Sequence, residues 1–224
     1  MAKELSLLRQ AESERARRRL ESVKNFDKLS VYDKFKHILP GVKLYKQQID
    51  FISGNQFEKW FIAGYKAGKT FVGLCAGILL AYINRPYTTM IVHPTSDGIE
   101  TTLLPLLEEI LDTAKIEYSI KTLSTRWIVS LKFGVGKKDT GRILFVSGDR
   151  PKSLKGPNVA SALVDEPFIM KEELLNVIIS RLSKDAPARH LLFTGTFEPM
   201  HMTWGHDIAE KGAVKTKDLL IIRA

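Results

Sequence analysis

Between the apolar run Trp60–Phe61–Ile62 and the apolar stretch beginning at Phe71, the chain places Ala63–Gly64–Tyr65–Lys66–Ala67–Gly68–Lys69–Thr70. Two glycines and two lysines on a tight turn beside a buried strand make an awkward loop to fold around unless something negative sits in it. The spacing fits a phosphate loop with Ala63 in the first glycine position, and the strand before and helix after are the context that motif needs. Gly64 and Gly68 let backbone N–H groups turn inward around phosphate oxygens, and the positive end of the following helix points the same way. Lys69 is then placed to bridge the β- and γ-phosphates of ATP, and the Thr70 hydroxyl to ligate Mg²⁺. Lys66 reads either as a solvent-facing lysine or as a cation acting on the γ-phosphate of its own loop.

A loop of this kind fixes the texture expected around it. Strand-like runs at KWFIA, TTMIVHP, VASALVDEP, RHLLFTGT and DLLIIRA alternate with helical patterns at YKQQIDFISG, Thr70 to Ile83, DGIETTLLPLLEEILDTA and KEELLNVIISRLSK. This order predicts an α/β fold, a mainly parallel β-sheet with helices on both faces. TRWIVSLKF and GRILFVSG read as paired strands, and Pro105 is placed to kink its helix. Residues 1–42 form a charged helical arm and linker, with a helix over 3–24 and a short one near Val31 to Leu39; residues 43–224 form the nucleotide-binding domain. Ending just after a strand suggests a chain that was cut or runs on into another domain. Cys75 is the only cysteine, so a disulfide within the chain and a cysteine zinc site are both excluded. No apolar stretch reaches the ~20 residues of a membrane helix. The formal net charge of +9 favours a polyanionic partner.

A phosphate loop alone makes only a nucleotide fold. Hydrolysis needs a metal carboxylate and a base on a neighbouring strand, and Ala160–Ser161–Ala162–Leu163–Val164–Asp165–Glu166 supplies both. Asp165 emerges at the strand's C-terminal end to hold Mg²⁺, and Glu166 follows to polarise the attacking water. His93, before Pro94, ends another buried strand near the binding edge of the sheet; it reads as a hydrogen-bonded structural histidine, with a weak part in the phosphate site as the alternative. His201, His206 and Asp207 suit no common zinc spacing.

Taken together, AGYKAGKT, SLKGPNVASALVDEP, LLFTGTFEP and MTWGHDIAEKG resemble, in order and spacing, the ATPase domain of the large terminase subunits of tailed bacteriophages, over about Tyr45 to Gly212. The resemblance implies a phosphate-loop NTPase of RecA/ASCE type whose ATP hydrolysis drives double-stranded DNA into a procapsid in the host cytoplasm. It implies a portal protein and a small terminase subunit as partners, and a homo-oligomeric ring on the capsid. It implies that a glutamine upstream of the loop reads adenine; Gln47 and Gln48 occupy that region and Gln48 is favoured. It implies a coupling motif at Thr194–Gly195–Thr196. It implies a basic residue reaching a neighbouring subunit's nucleotide, aligned with Lys155, where lysine replaces the usual arginine; Arg150 and Arg142 are the substitutes. The nuclease domain usual in that family has no counterpart here, because Asp207, Glu210 and Asp218 sit on a short tail, so ATP hydrolysis without DNA cleavage is expected. A helicase-like remodeller and a non-hydrolysing nucleotide-gated assembly module are the alternatives.

Overall fold

A computed structural model of the chain describes residues 14, 26–124, 126–133, 139–149, 154, 158–196, 208 and 213–224. The arm expected over 3–24, Glu14 apart, lies outside the described residues, as does the segment expected as a loop and short helix around Trp204, Ile208 apart.

Nine strands form one sheet in the order β3-β4-β5-β2-β6-β7-β1-β9-β8. Six of them run parallel: β5 (Thr140–Ser147), β2 (Thr88–His93), β6 (Ser161–Asp165), β7 (Leu191–Gly195), β1 (Glu58–Ile62) and β9 (Leu219–Arg223). β2, β6 and β7 are nearly continuous apolar runs because both of their faces are covered. β4 (Arg126–Lys132) and β3 (Glu117–Leu123) add antiparallel strands at one edge, and β8 (Val214–Lys215) one at the other. The sequence reading missed β3 and β8. β3 is an edge strand with mostly exposed side chains, so it lacks the apolar run that betrays a buried strand.

The two faces carry different cover. Helices α1 (Val31–Ile38), α2 (Lys46–Ser53), α3 (Lys69–Ile83) and α4 (Leu104–Ala114) pack their apolar sides with Phe61, Ile91, Leu163 and Leu192 on one face. Helix α5 (Glu173–Ile179) and the 3₁₀ turn Pro167–Ile169 pack with Met90, Val92, Val164 and Phe193 on the other. The pattern at 171–184 predicts a longer helix. It stops early because Val159 accepts from Ser183 N and donates to Arg181 O, drawing that segment into a bridge. Ahead of α4, a π-helical turn spans Ile99–Leu103, with Leu104 N donating to Ile99 O. Pro105 follows at once; lacking an N–H, it cannot continue a regular ladder, and the wider turn absorbs that loss.

Two features of this framework set the site. The acidic strand was expected beside the loop's strand, but β7 lies between β6 and β1. Strand order is a nonlocal property, and here it brings the end of β7 between the acidic strand and the loop's strand. Helix α3 is buried almost all round and lies close to the sheet. A Cβ on Gly73 would fall 3.0 Å from Leu163 Cδ2 and 3.2 Å from Thr194 Cγ2, so glycine at this position permits that approach.

Candidate active site

The loop leaves β1 after Ile62 and enters α3 at Lys69. Lys66 and Gly68 both have positive φ, 63° and 71°, the backbone alternation that turns successive N–H groups to one side. Lys69 Nζ donates to Gly64 O across the loop at 2.8 Å. Tyr65 is exposed, and the Lys69 ammonium lies 5.7 Å from its ring centre. Thr70 stands on the first turn of α3, and its hydroxyl donates to Asp165 Oδ2 at 3.1 Å. The loop and the acidic strand, 95 residues apart in sequence, are therefore in contact.

Asp165 is 2% exposed. Its other carboxylate oxygen accepts from the Thr194 hydroxyl at 2.6 Å. Thr194 is its register partner on β7, and Phe61 of β1 is the next residue along that row. Burial raises the Asp165 carboxyl above the usual carboxylate range, against the two hydroxyl bonds and the electrostatic influence of His93 and Lys69. Hard oxygen donors from Thr70 and Asp165, facing each other beside a lysine, suit Mg²⁺ in type and position.

Glu166 follows with φ 50°, an uncommon conformation for a residue with a side chain. Two contacts from β7 and its end hold it there. Glu166 N donates to Thr194 O at 2.7 Å, and Thr196 N donates to Glu166 Oε2 at 3.1 Å. Burial raises its carboxyl too; the neighbouring Asp165 charge adds to the rise, and the Thr196 N–H opposes it. Thr196 Oγ1 is buried and makes no hydrogen bond. Thr194–Gly195–Thr196 thus touches both acidic residues.

Gln48 lies under the loop, 2% exposed, with its amide bonded to backbone: Nε2 to Ala67 O and Gly68 O, both at 3.4 Å, and Oε1 accepting from Tyr45 N at 3.0 Å. Lys155 and Arg150 lie outside the described residues. Arg142 is at the start of β5, paired with Thr88, at the end of the sheet away from the loop. His93, expected as a structural histidine near the binding edge of the sheet, is hydrogen-bonded and lies close to the site. It stands one step beyond the Val92↔Val164 pair, next to Asp165 on the sheet edge, and bears electrostatically on both acids. Thr95 N donates to its Nδ1 at 3.2 Å, and a Cβ on Gly98 would collide with its ring.

No protein family and no curated protein matches the sequence. Solved structures do match its fold. The ATPase domain of the Thermus phage P74-26 large terminase superposes with a TM-score of 0.64 at 19% identity, over 88% of this chain and 86% of that one. The large terminase of another thermophilic bacteriophage, in complex with ADP, gives 0.60 at 15% identity, over 81% of this chain and 45% of that one. The N-terminal domain of the bacteriophage phi29 DNA-packaging ATPase gives 0.55 at 10% identity, over 80% and 95%. At these identities the likeness is one of architecture, and the architecture this chain shares is that of phage DNA-packaging ATPase domains.

Proposed function

We propose that this chain is the ATPase domain of a viral DNA-packaging terminase, coupling ATP hydrolysis to movement of double-stranded DNA into a procapsid. The observation that carries the reading is the Asp165 carboxylate, buried at the strand edge and joined by hydroxyls to the loop at Thr70 and to β7 at Thr194. A buried acid aimed at a lysine-bearing loop has a use when a phosphate-bound cation completes it.

In this reading the inward N–H groups of 64–70 and Lys69 bind the triphosphate, with Lys69 exchanging Gly64 O for phosphate oxygens. Thr70 and Asp165 would hold Mg²⁺, which would supply neutralisation of charge on the transferring phosphoryl group. Glu166 takes the proton from the water whose oxygen attacks the γ-phosphorus as the bond to the β-phosphate oxygen breaks. Loss of the γ-phosphate is felt at Thr194 and Thr196, which bond the two acids, and β7 carries the change into the sheet. Lys66 and the Lys155 region are the cations of the same and the neighbouring subunit. The net charge of +9 supports a grip on DNA backbone phosphates that ignores sequence and weakens with salt. A ring of copies docked on a portal protein, with a small terminase subunit, in the host cytoplasm, is the assembly that fits this activity.

Glu166→Gln tests the reading. Nucleotide affinity should stay within about threefold, while hydrolysis by the assembled complex falls by about 10²-fold or more. Unchanged hydrolysis would remove Glu166 from the chemistry, and a complex that packages DNA normally with this variant would overturn the motor reading.

A further inference from the structure

Among the described residues Gln48 bonds only backbone, and that backbone belongs to its own helix start and to the loop. It is the third residue of α2. Its Oε1 accepts from Tyr45 N, the residue before the helix, which fixes the side chain against its own first turn. From there Nε2 reaches the carbonyl oxygens of Ala67 and Gly68. A peptide group is planar and trans, so its C=O and the next N–H point in opposite directions. Holding Ala67 O and Gly68 O outward therefore turns the N–H groups of Gly68 and Lys69 inward, to the side where phosphate oxygens would lie. Gly68 fits this contact closely: beyond its φ of 71°, a Cβ there would stand 2.7 Å from Gln48 Nε2.

We infer that Gln48 is a positioning residue that sets the loop's amides for a polyphosphate, and that it does not read the base. Its amide nitrogen faces two loop carbonyls, one oxygen lone pair is engaged, and the side chain is 2% exposed. A purine edge would have to strip Gln48 from the loop in order to pair with it. The inference rests on the phosphate-loop reading above and goes beyond it by separating the triphosphate from the base.

The experiment compares the whole chain with Gln48→Met, which keeps the buried volume, and Gln48→Glu, which keeps the acceptor for Tyr45 N but has no N–H for the loop. Affinities for ATP, GTP and inorganic tripolyphosphate are measured by calorimetry with Mg²⁺, and thermal melts confirm that both variants are folded. A positioning role predicts that all three ligands weaken together, by about tenfold, with the ATP-to-GTP ratio unchanged. Selective loss of ATP with tripolyphosphate untouched would show that Gln48 reads adenine and overturn the inference. Equal affinities in variant and wild type for all three ligands would overturn it as well. Failure of the wild-type chain to bind any of them would instead bring down the phosphate-site reading, and the positioning role with it.

Discussion

The two ends of the sheet each bury a charge, and they do so for opposite reasons. At the C-terminal edge Asp165 is 2% exposed, and at the N-terminal edge Lys59 is 3% exposed, so depth does not distinguish them. Their partners do. Lys59 Nζ donates to Gly54 O at 3.0 Å and Ile52 O at 3.4 Å, carbonyls at the end of α2 that have no acceptor role within the helix. The lysine meets a need of the fold, with the Phe51 ring 5.5 Å from its ammonium. Asp165 meets no such need. Its partners are two hydroxyls, each free to rotate towards another acceptor, one from α3 just after the loop and one from β7. A buried ionisable group that satisfies orphaned backbone serves the fold; one that gathers only rotatable hydroxyls at a strand edge leaves its role to the proposed ligand.

The largest effect should come from breaking the ligand-dependent end. Asp165→Asn removes the charge that is to hold Mg²⁺ and should lower hydrolysis by about 10³-fold. The same substitution should stabilise the ligand-free protein. Burial raises the Asp165 carboxyl, so the ionised form is disfavoured in the fold, and stability falls as pH rises from the usual carboxylate range through the raised value. An amide carries no charge, and its oxygen can still accept from one of the two hydroxyls. A gain of about 1 kcal/mol, or roughly 2–4 °C in Tm, is expected at pH 7. A lower Tm in the variant would mean that Asp165 is structural, as Lys59 is, and erase the contrast.

Next in size is the structural end. Burial lowers Lys59 to about 7. The folded state therefore releases this proton before the unfolded chain does, and stability climbs as pH rises from about 7 towards the ordinary lysine value. The slope is at most about 1.4 kcal/mol per pH unit. Lys59→Met should remove that rise, measured as the difference between the two proteins in Tm from pH 7 to pH 10, and should leave nucleotide affinity unchanged. Parallel profiles would show that the amine is already solvated.

How much of this was legible in the sequence follows the range of each interaction. Ala63 to Thr70 and Asp165–Glu166 could be picked out because each packs its chemistry into a few contiguous residues beside an apolar run, whereas Thr194 to Thr196 came only from the family resemblance. That Thr194 would bond Asp165 could not be picked out, because it depends on β7 lying between β6 and β1. Gln48 was found as a residue but not in its contacts, since the carbonyls it holds lie 19 and 20 residues away across a strand. Gly73 lies inside the apolar run from Thr70 to Ile83, and its purpose appears only when Leu163 and Thr194 are seen beneath it. Lys59 drew no comment: one lysine beside an apolar run looks like a strand terminus until α2 folds its carbonyls over it.

The smallest expected effect sharpens the same contrast from the acid side. His190, one residue before β7, is lowered to about 4, first by burial and then by the Lys59 charge, against a bond between its Nδ1 and Gln56 O at 2.8 Å. Folding therefore opposes its protonation, and stability should fall as pH drops from about 6.5 to 4. The raised Asp165 and Glu166 work the other way, since the folded state holds their protons more tightly than the unfolded chain does. Acid thus loosens the base of the sheet while relieving the opposite edge, where Asp165 and Glu166 lie. His190→Gln removes only the destabilising half, so its Tm should fall less on acidification than that of wild type. Because the Lys59 charge is part of the cause, the His190→Gln effect should shrink in a Lys59→Met background, a coupling that a double-mutant cycle reads directly. Additive effects of the two substitutions would show that the two cations at the base of the sheet do not sense each other.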